Sequence, residues 1–123
     1  MKRKVINVLI FTCLLLVSLI PVNKIHATND TQYQIHSDKI KRINTAKVQL
    51  QFKCRHSFDH YNVKFTYKDK NGKNYKQTYY VWSKHKKNQL CKYTVPIGNQ
   101  YKKIQCTLKI YDNGKLKRTE TVK

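Results

Sequence analysis

The 123-residue chain contains 26 lysine and arginine residues against six aspartate and glutamate residues, which gives a formal net charge of +20. That length is enough for one small domain. The six acids are spread singly, which argues against hydrolysis by a carboxylate pair, and the sequence has no phosphate-cradling glycine loop and no Gly-x-Ser-x-Gly motif.

The N-terminus has the layout of a secretory signal peptide. Residues 2–4 are basic, residues 5–20 form an almost unbroken apolar run, and Ala27 offers the small residue that signal peptidase requires. We expect residues 1–27 to be removed, which places the remaining chain outside the cytoplasm. The alternative is an uncleaved segment, which would be the only contact of the protein with a membrane.

The charge persists after the predicted cleavage. Of the 26 basic residues, four precede residue 28, so 22 remain against all six acids, a net charge of +16 over 96 residues. Only three of the 22 are arginine. Lysine is a hydrated point charge, whereas arginine makes the bidentate contacts that read phosphates and bases. This composition favours diffuse attraction to an anionic polymer over sequence-specific recognition.

Residues 28–45 are polar and weakly patterned. We interpret them as an extended lead-in that contains a short edge strand at 33–35 and one helical turn over 38–43. The first clear strand spans 46–54, where Val48 and every second residue after it are apolar and the residues between are polar.

The same period of two recurs to the end of the chain. It predicts further strands at residues 61–68, 74–83, 89–95, 101–111 and 115–123. Asn71-Gly72 and Asn113-Gly114 are typical hairpin turns between neighbouring strands. The alternation does not decide which residues of 74–83 face the core, whereas Leu116 is expected to face it.

Six strands, or seven with the edge strand, predict an all-β fold, a small antiparallel β-sandwich over residues 46–123. Closure into a barrel is the alternative. The strand order resembles that of an immunoglobulin-like or fibronectin-like sandwich, and the resemblance is one of architecture without a shared motif.

Three cysteines remain after the predicted cleavage, and each shares the parity of core residues on its strand. Because secreted proteins fold in an oxidising compartment, we expect two of them to form a disulfide. Cys54 with Cys91 and Cys54 with Cys106 are the two competing pairings. The odd cysteine is then a buried thiol, or it links two chains as a disulfide dimer.

His56, Asp59 and His60 cluster in one predicted loop. Such a cluster suits zinc binding or the acid and base of a cationic ribonuclease-like hydrolase, and a metal site would need His36 or His85 as a third ligand. We interpret the cluster as a solvated polar loop. We therefore predict no enzyme, no metal, no cofactor and no small-molecule substrate.

The alternation also predicts a basic outer surface with aromatic residues beside it. The residues assigned to this surface are Lys64, Lys68, Lys103, Lys109, Lys117, Tyr80 and Trp82. A charged groove with stacking rings is typical of proteins that bind single-stranded nucleic acid, and it also suits sugar polymers. The alternative is a solvated lysine coat that prevents strand edges from pairing.

These features predict a secreted, extracellular, non-enzymatic binding module. Its partner would be an anionic polymer: a bacterial wall polymer, extracellular nucleic acid or a host glycosaminoglycan. One alternative is a secreted effector, toxin or host-protein inhibitor whose partner is a protein. The cationic hydrolase is the third hypothesis.

Overall fold

The computed structural model describes residues 29–123, and the predicted signal peptide lies outside this range. Within it, no helix is long and apolar enough to cross a membrane. A short 3₁₀ turn at Thr31–Tyr33 precedes seven strands. The strands are β1 (Ile35–Arg42), β2 (Val48–Cys54), β3 (His60–Lys68), β4 (Asn74–Val81), β5 (Cys91–Val95), β6 (Lys102–Asp112) and β7 (Lys115–Val122).

The strands form two antiparallel sheets, with the orders β1-β2-β5 and β4-β3-β6-β7. The predicted β-sandwich is confirmed. Three hairpins join neighbouring strands within a sheet, and the chain changes sheet after β2, β4 and β5. The three-plus-four order is that of an immunoglobulin-like or fibronectin-like sandwich.

The core lies between the sheets because β2 and β3 alternate strictly between buried and solvent-facing residues. Phe52 of β2 and Tyr61 of β3 meet there edge to face, with ring centroids 5.1 Å apart. Phe58, from the loop between these strands, adds a third buried ring. No side chain fully buried in the described chain is polar or charged, so packing of apolar side chains holds the sheets together.

β1 differs from the prediction. Residues 35–42 form a full strand paired with β2, and the helical turn predicted over 38–43 is absent. The sandwich therefore begins before residue 46. Ser37, with φ at 54°, lies in a bulge that interrupts the pairing, and this irregularity hides the strand from a period-two search.

Two further bulges change the parity of the last strands. In β6, Lys103 has φ at 55° and lies in the bulge beside the pair of Lys68 with Lys102. In β7, Lys117 is the extra residue between the pairs made by Arg118 and Leu116. Because a bulge inserts one extra residue, the residues after it face the side of the sheet opposite to the one that strict alternation predicts. Leu116 consequently pairs with Tyr111 and lies on the solvent side of the sheet, whereas the sequence predicted that it faces the core.

The predicted disulfide is not formed, and Cys54, Cys91 and Cys106 are all free and buried. Cys91 pairs with Phe52, so Cys54 is its diagonal neighbour. Diagonal neighbours are typically about 7–8 Å apart, whereas a disulfide requires Cα atoms about 4.4–6.8 Å apart. The Cys54 thiol instead donates to the backbone oxygen of Tyr33 at 3.3 Å.

Cys106 lies at a different level of the sandwich. It pairs with Phe65, four residues beyond Tyr61, and Tyr61 is the residue that meets Phe52. Four residues of strand place Phe65 about 13 Å from Tyr61, so Cys106 is too far from Cys54 to form a disulfide with it. All three thiols are buried in this fold, so none lies at the surface where it could link to a second chain.

We expect three free thiols when the protein is denatured without reductant, and none that reacts in the native state. Burial raises the pKa of Cys91 and of Cys106 to about 12, and it also raises the pKa of Cys54, so the reactive thiolate is scarce at pH 8. Alkylation followed by mass spectrometry measures both counts. Recovery of a single alkylated cysteine from the denatured, unreduced protein would show that a bridge exists.

Candidate functional site

The four-stranded sheet presents one side to solvent. Along β3 every second residue faces away from the core, and cross-strand pairing extends that face onto β4 and β6. We call this surface the outer face. Its rows across β4, β3 and β6 are Tyr80, Asn62 and Lys109; Thr78, Lys64 and Thr107; Lys76, Thr66 and Gln105; and Asn74, Lys68 and Lys102, with His60 and Tyr111 beyond the first row.

The outer face carries five lysines and, among the residues just named, no acid. The lysines are Lys64, Lys68, Lys76, Lys102 and Lys109. Lys68 and Lys102 lie directly opposite each other in the β3–β6 pair. Like charges at opposed positions destabilise a sheet. An anion bound between these two ammonium groups would remove that repulsion.

The nearby acids are held elsewhere by the fold. The Asp112 carboxylate accepts a hydrogen bond from the Tyr33 hydroxyl at 2.7 Å, and Glu120 pairs with Arg118. Asp69 accepts hydrogen bonds from backbone amides of its own turn, and these lower the pKa of its carboxyl. Within residues 29–123, none of these carboxylates forms an ion pair with an outer-face lysine.

One end of the outer face is aromatic. The His60 ring is stacked between Trp82 and Tyr111, with centroid distances of 4.1 Å and 4.8 Å and interplanar angles of 21° and 6°. Trp82 is 75% exposed and Tyr80, in the neighbouring row, is 63% exposed. Exposed rings of this size beside lysines can stack on a sugar or a base.

A shallow depression of about 140 Å³ lies between the aromatic end and the lysines. Asn62 lines it, with Tyr80 and Lys109 paired on either side and Lys64 in the next row. The Asn62 side-chain oxygen is buried and has no hydrogen-bond partner. Such an acceptor is uncommon in folded proteins and needs an explanation.

The structure brings most of the predicted site residues together. Lys64, Lys68, Lys109 and Tyr80 lie on the outer face, and Trp82 stacks on His60 at its aromatic end.

The two other predicted lysines lie in bulges. Lys117 is placed over the Tyr33 ring, with its ammonium nitrogen 5.8 Å from the ring centroid, on the side of the 3₁₀ turn. Lys103 is the bulge residue of β6, and Lys102 takes the outer-face position beside Lys68. Only Lys117 is placed away from the outer face, because the bulge in β7 adds a residue that breaks the alternation.

Sequence reasoning also missed several members of the outer face. Lys76 belongs to the strand for which the alternation did not decide which residues face solvent. The hairpin pairing of Tyr80 with Asn62 decides this, because paired residues lie on the same face of the sheet. His60 was assigned to a solvated loop, whereas it is the first residue of β3. The stacking of His60 on Tyr111 of β6 and on Trp82, which follows the end of β4, has no local sequence signal.

The histidine cluster is divided among different contacts. His56 packs against Tyr33, with centroids 4.4 Å apart, and its Nδ1 lies 2.7 Å from the Ser57 backbone oxygen. His60 is enclosed by Trp82 and Tyr111. Residues 29–123 contain no group of three or more histidine, cysteine, aspartate or glutamate side chains placed to hold a metal ion.

The three-stranded sheet provides a contrast. Its solvent side also carries four lysines, Lys39, Lys41, Lys53 and Lys92, which are interspersed with Gln49 and Gln51. No tyrosine or tryptophan belongs to its outward positions, because Tyr93 pairs with the buried Leu50. Lysine density is therefore similar on the two sheets, and the aromatic residues and the depression distinguish the outer face.

No family model and no curated protein matches the chain. Among solved structures, the E. coli curli protein CsgC is similar, with a TM-score of 0.45 and 10% sequence identity over 72% of this chain and 96% of that chain. A similarity at this level carries no conclusion about what this chain binds.

Proposed function

We propose that the protein is a secreted, non-enzymatic binding module that holds an anionic polymer against its outer face. The observation that carries this proposal is the combination of five outer-face lysines with the exposed rings of Tyr80 and Trp82, which the solvent side of the three-stranded sheet lacks. The signal-peptide pattern of the sequence supports an extracellular partner. A bacterial wall polymer, extracellular nucleic acid and a glycosaminoglycan all have the required charge.

The spacing of the lysines favours a polymer over a small anion. Neighbouring strands are about 4.8 Å apart, and residues on one face of a strand repeat about every 6.7 Å. Lys64 is therefore about 13 Å from Lys68 along β3, while Lys102 and Lys109 lie one strand away on β6. A linear polyanion can contact several of these groups together, whereas a single small anion reaches one or two.

A secreted effector that binds a protein is the second candidate. The exposed Tyr80 and Trp82 favour it, because aromatic residues are enriched at the centre of protein interfaces. Its binding would depend mainly on buried apolar area and would change little with salt. Binding to a polyanion depends steeply on salt.

We expect the affinity of the protein for double-stranded DNA, used as a uniform polyanion, to fall linearly with salt on a log–log plot. Each phosphate neutralised adds about −0.9 to the slope, so four contacts give a loss of about 100-fold between 50 and 200 mM salt. Fluorescence anisotropy measures the slope, and neutral dextran serves as the control that should not bind.

A salt-independent affinity, or no affinity for any polyanion, would contradict the proposal. Gel analysis of the polymer recovered after incubation tests whether the protein is non-enzymatic, because a hydrolase would shorten the polymer. Shortening that is lost in a His56→Ala, His60→Ala variant would instead support the hydrolase.

A further inference from the structure

The aromatic end of the outer face is one row of the four-stranded sheet. His60 of β3 is paired with Tyr111 of β6. On the other side of His60, Trp82 follows the last residue of β4 and continues the register of the β3–β4 pairing. The centroid distances of 4.1 Å and 4.8 Å are close to the spacing of about 4.8 Å between neighbouring strands. The strand register therefore fixes the three rings as a column, which we call the ring column.

The ring column is open at the Trp82 end. β4 is an edge strand, so no strand lies beyond Trp82, and this side chain is 75% exposed. One face of its indole packs on His60, so the exposed area belongs to the opposite face and the ring edge. At the other end of the column, Leu116 of β7 occupies the position next to Tyr111. A further flat ring can therefore extend the stack on the free face of Trp82.

A nucleic acid base fits this position better than a sugar ring does. The planes within the ring column are only 21° and 6° apart, so the rings lie nearly parallel, as stacked bases do. A base is flat and continues such a column face to face, whereas a sugar ring is puckered. Stacking of bases on exposed aromatic side chains beside a basic surface is how many proteins hold single strands.

The neighbouring ring favours a single strand over a duplex. Tyr80 precedes Trp82 by two residues on the same face and is 63% exposed. Residues at this separation are about 6.7 Å apart, about twice the 3.4 Å rise between the stacked bases of a duplex. Rings at this spacing therefore match successive bases that are not stacked on each other. Lys64 and Lys76, in the rows that follow Tyr80, lie beside the path of the phosphates.

From this geometry we propose that the free face of Trp82 is a stacking site for one base of a single-stranded nucleic acid. Tyr80 contacts the neighbouring base, and Lys64 and Lys76 neutralise the adjoining phosphates. The proposal rests on the proposed function, since it specifies which anionic polymer the outer face holds. Stacking releases no counterions, so it should raise the affinity without changing the salt slope.

The test compares a labelled thymidine oligonucleotide with an abasic strand of the same length, which has the same phosphates and no bases. We expect the unmodified protein to bind the thymidine strand at least about tenfold more tightly at each salt concentration, as a stacked base provides. Trp82→Leu should weaken binding of the thymidine strand about tenfold and leave binding of the abasic strand unchanged. Trp82→Phe keeps an aromatic ring and should retain most of the affinity.

Fluorescence gives a second measurement on the unmodified protein. Trp82 is the only tryptophan in the chain, so a base stacked on it should quench the protein's tryptophan emission. The abasic strand should leave the emission nearly unchanged. Ile43→Ala is the matched control for the affinities, because Ile43 is an exposed apolar residue in the turn between β1 and β2, on the other sheet. It should leave binding of both strands unchanged.

Equal binding of the two strands by the unmodified protein, or an equal loss for both in Trp82→Leu, would overturn base stacking. A heparin oligosaccharide separates the remaining outcomes. If heparin binds and neither strand does, or if Trp82→Leu weakens heparin binding as much as thymidine binding, the stacking site is wrong and the proposed function stands. If the unmodified protein binds neither heparin nor either strand, the proposed function itself fails.

Discussion

Replacing Phe52 with alanine is expected to lower the free energy of unfolding by about 3–5 kcal/mol. The Phe52 side chain is fully buried, and its ring contacts Tyr61 of the other sheet and Phe58 of the connecting loop. Its removal leaves a cavity between the sheets and removes a ring contact that joins them. A domain of this size is stabilised by about 5–15 kcal/mol in total, so the variant should be close to unfolding at room temperature.

Urea denaturation followed by far-ultraviolet circular dichroism measures the loss. Trp82→Ala is the matched control, since it also deletes a large aromatic side chain, but one that is 75% exposed. Its effect should stay below about 1 kcal/mol, as for most surface substitutions. Similar losses in the two variants would show that the β2 face does not form the core.

Strands with unbroken alternation could be predicted from the sequence. In β2 and β3 the residues that alternate as apolar in the sequence are the ones that are buried, because one face of each strand packs against the other sheet. Only the start of β1 was predicted, within a short edge strand at 33–35, because β1 is an edge strand in which only Ile35 is buried. Its bulge at Ser37 also breaks the period.

The register of the strands, that is, which residues of two strands pair, could not be predicted from the local alternation. The buried positions of the three cysteines were predicted correctly, yet the pairing of Cys91 with Phe52 keeps Cys54 out of bonding distance. Whether two buried cysteines meet depends on how strands distant in sequence align. A period-two pattern carries no information about that alignment.

The candidate site was predicted in part for the same reason. Lys64 and Lys109 belong to regular stretches and lie where alternation places them. Lys117 lies in a bulge, so counting residues in steps of two assigned it to the wrong surface. The bulge at Lys103 brings Lys102 opposite Lys68, which the same counting did not predict. The depression at Asn62 is built from three strands, and its unpartnered oxygen is visible only in three dimensions.

Changing four outer-face lysines to glutamine is expected to remove most of the salt dependence of polyanion binding. The substitutions are Lys64→Gln, Lys68→Gln, Lys102→Gln and Lys109→Gln. If each lysine neutralises one phosphate of double-stranded DNA, the log–log slope should flatten by up to about 3.6. The opposed pair of Lys68 and Lys102 is replaced by neutral residues, so the folded protein should be no less stable.

The most direct test of the proposed binding face compares this variant with a second one of identical net charge. The second variant changes four lysines on the solvent side of the three-stranded sheet, Lys39, Lys41, Lys53 and Lys92, to glutamine. Salt slopes for DNA are measured side by side for both variants and the unmodified protein. We predict a flattened slope for the outer-face variant and a nearly unchanged slope for the other; equal flattening, or a larger effect on the three-stranded sheet, would contradict a dedicated outer face.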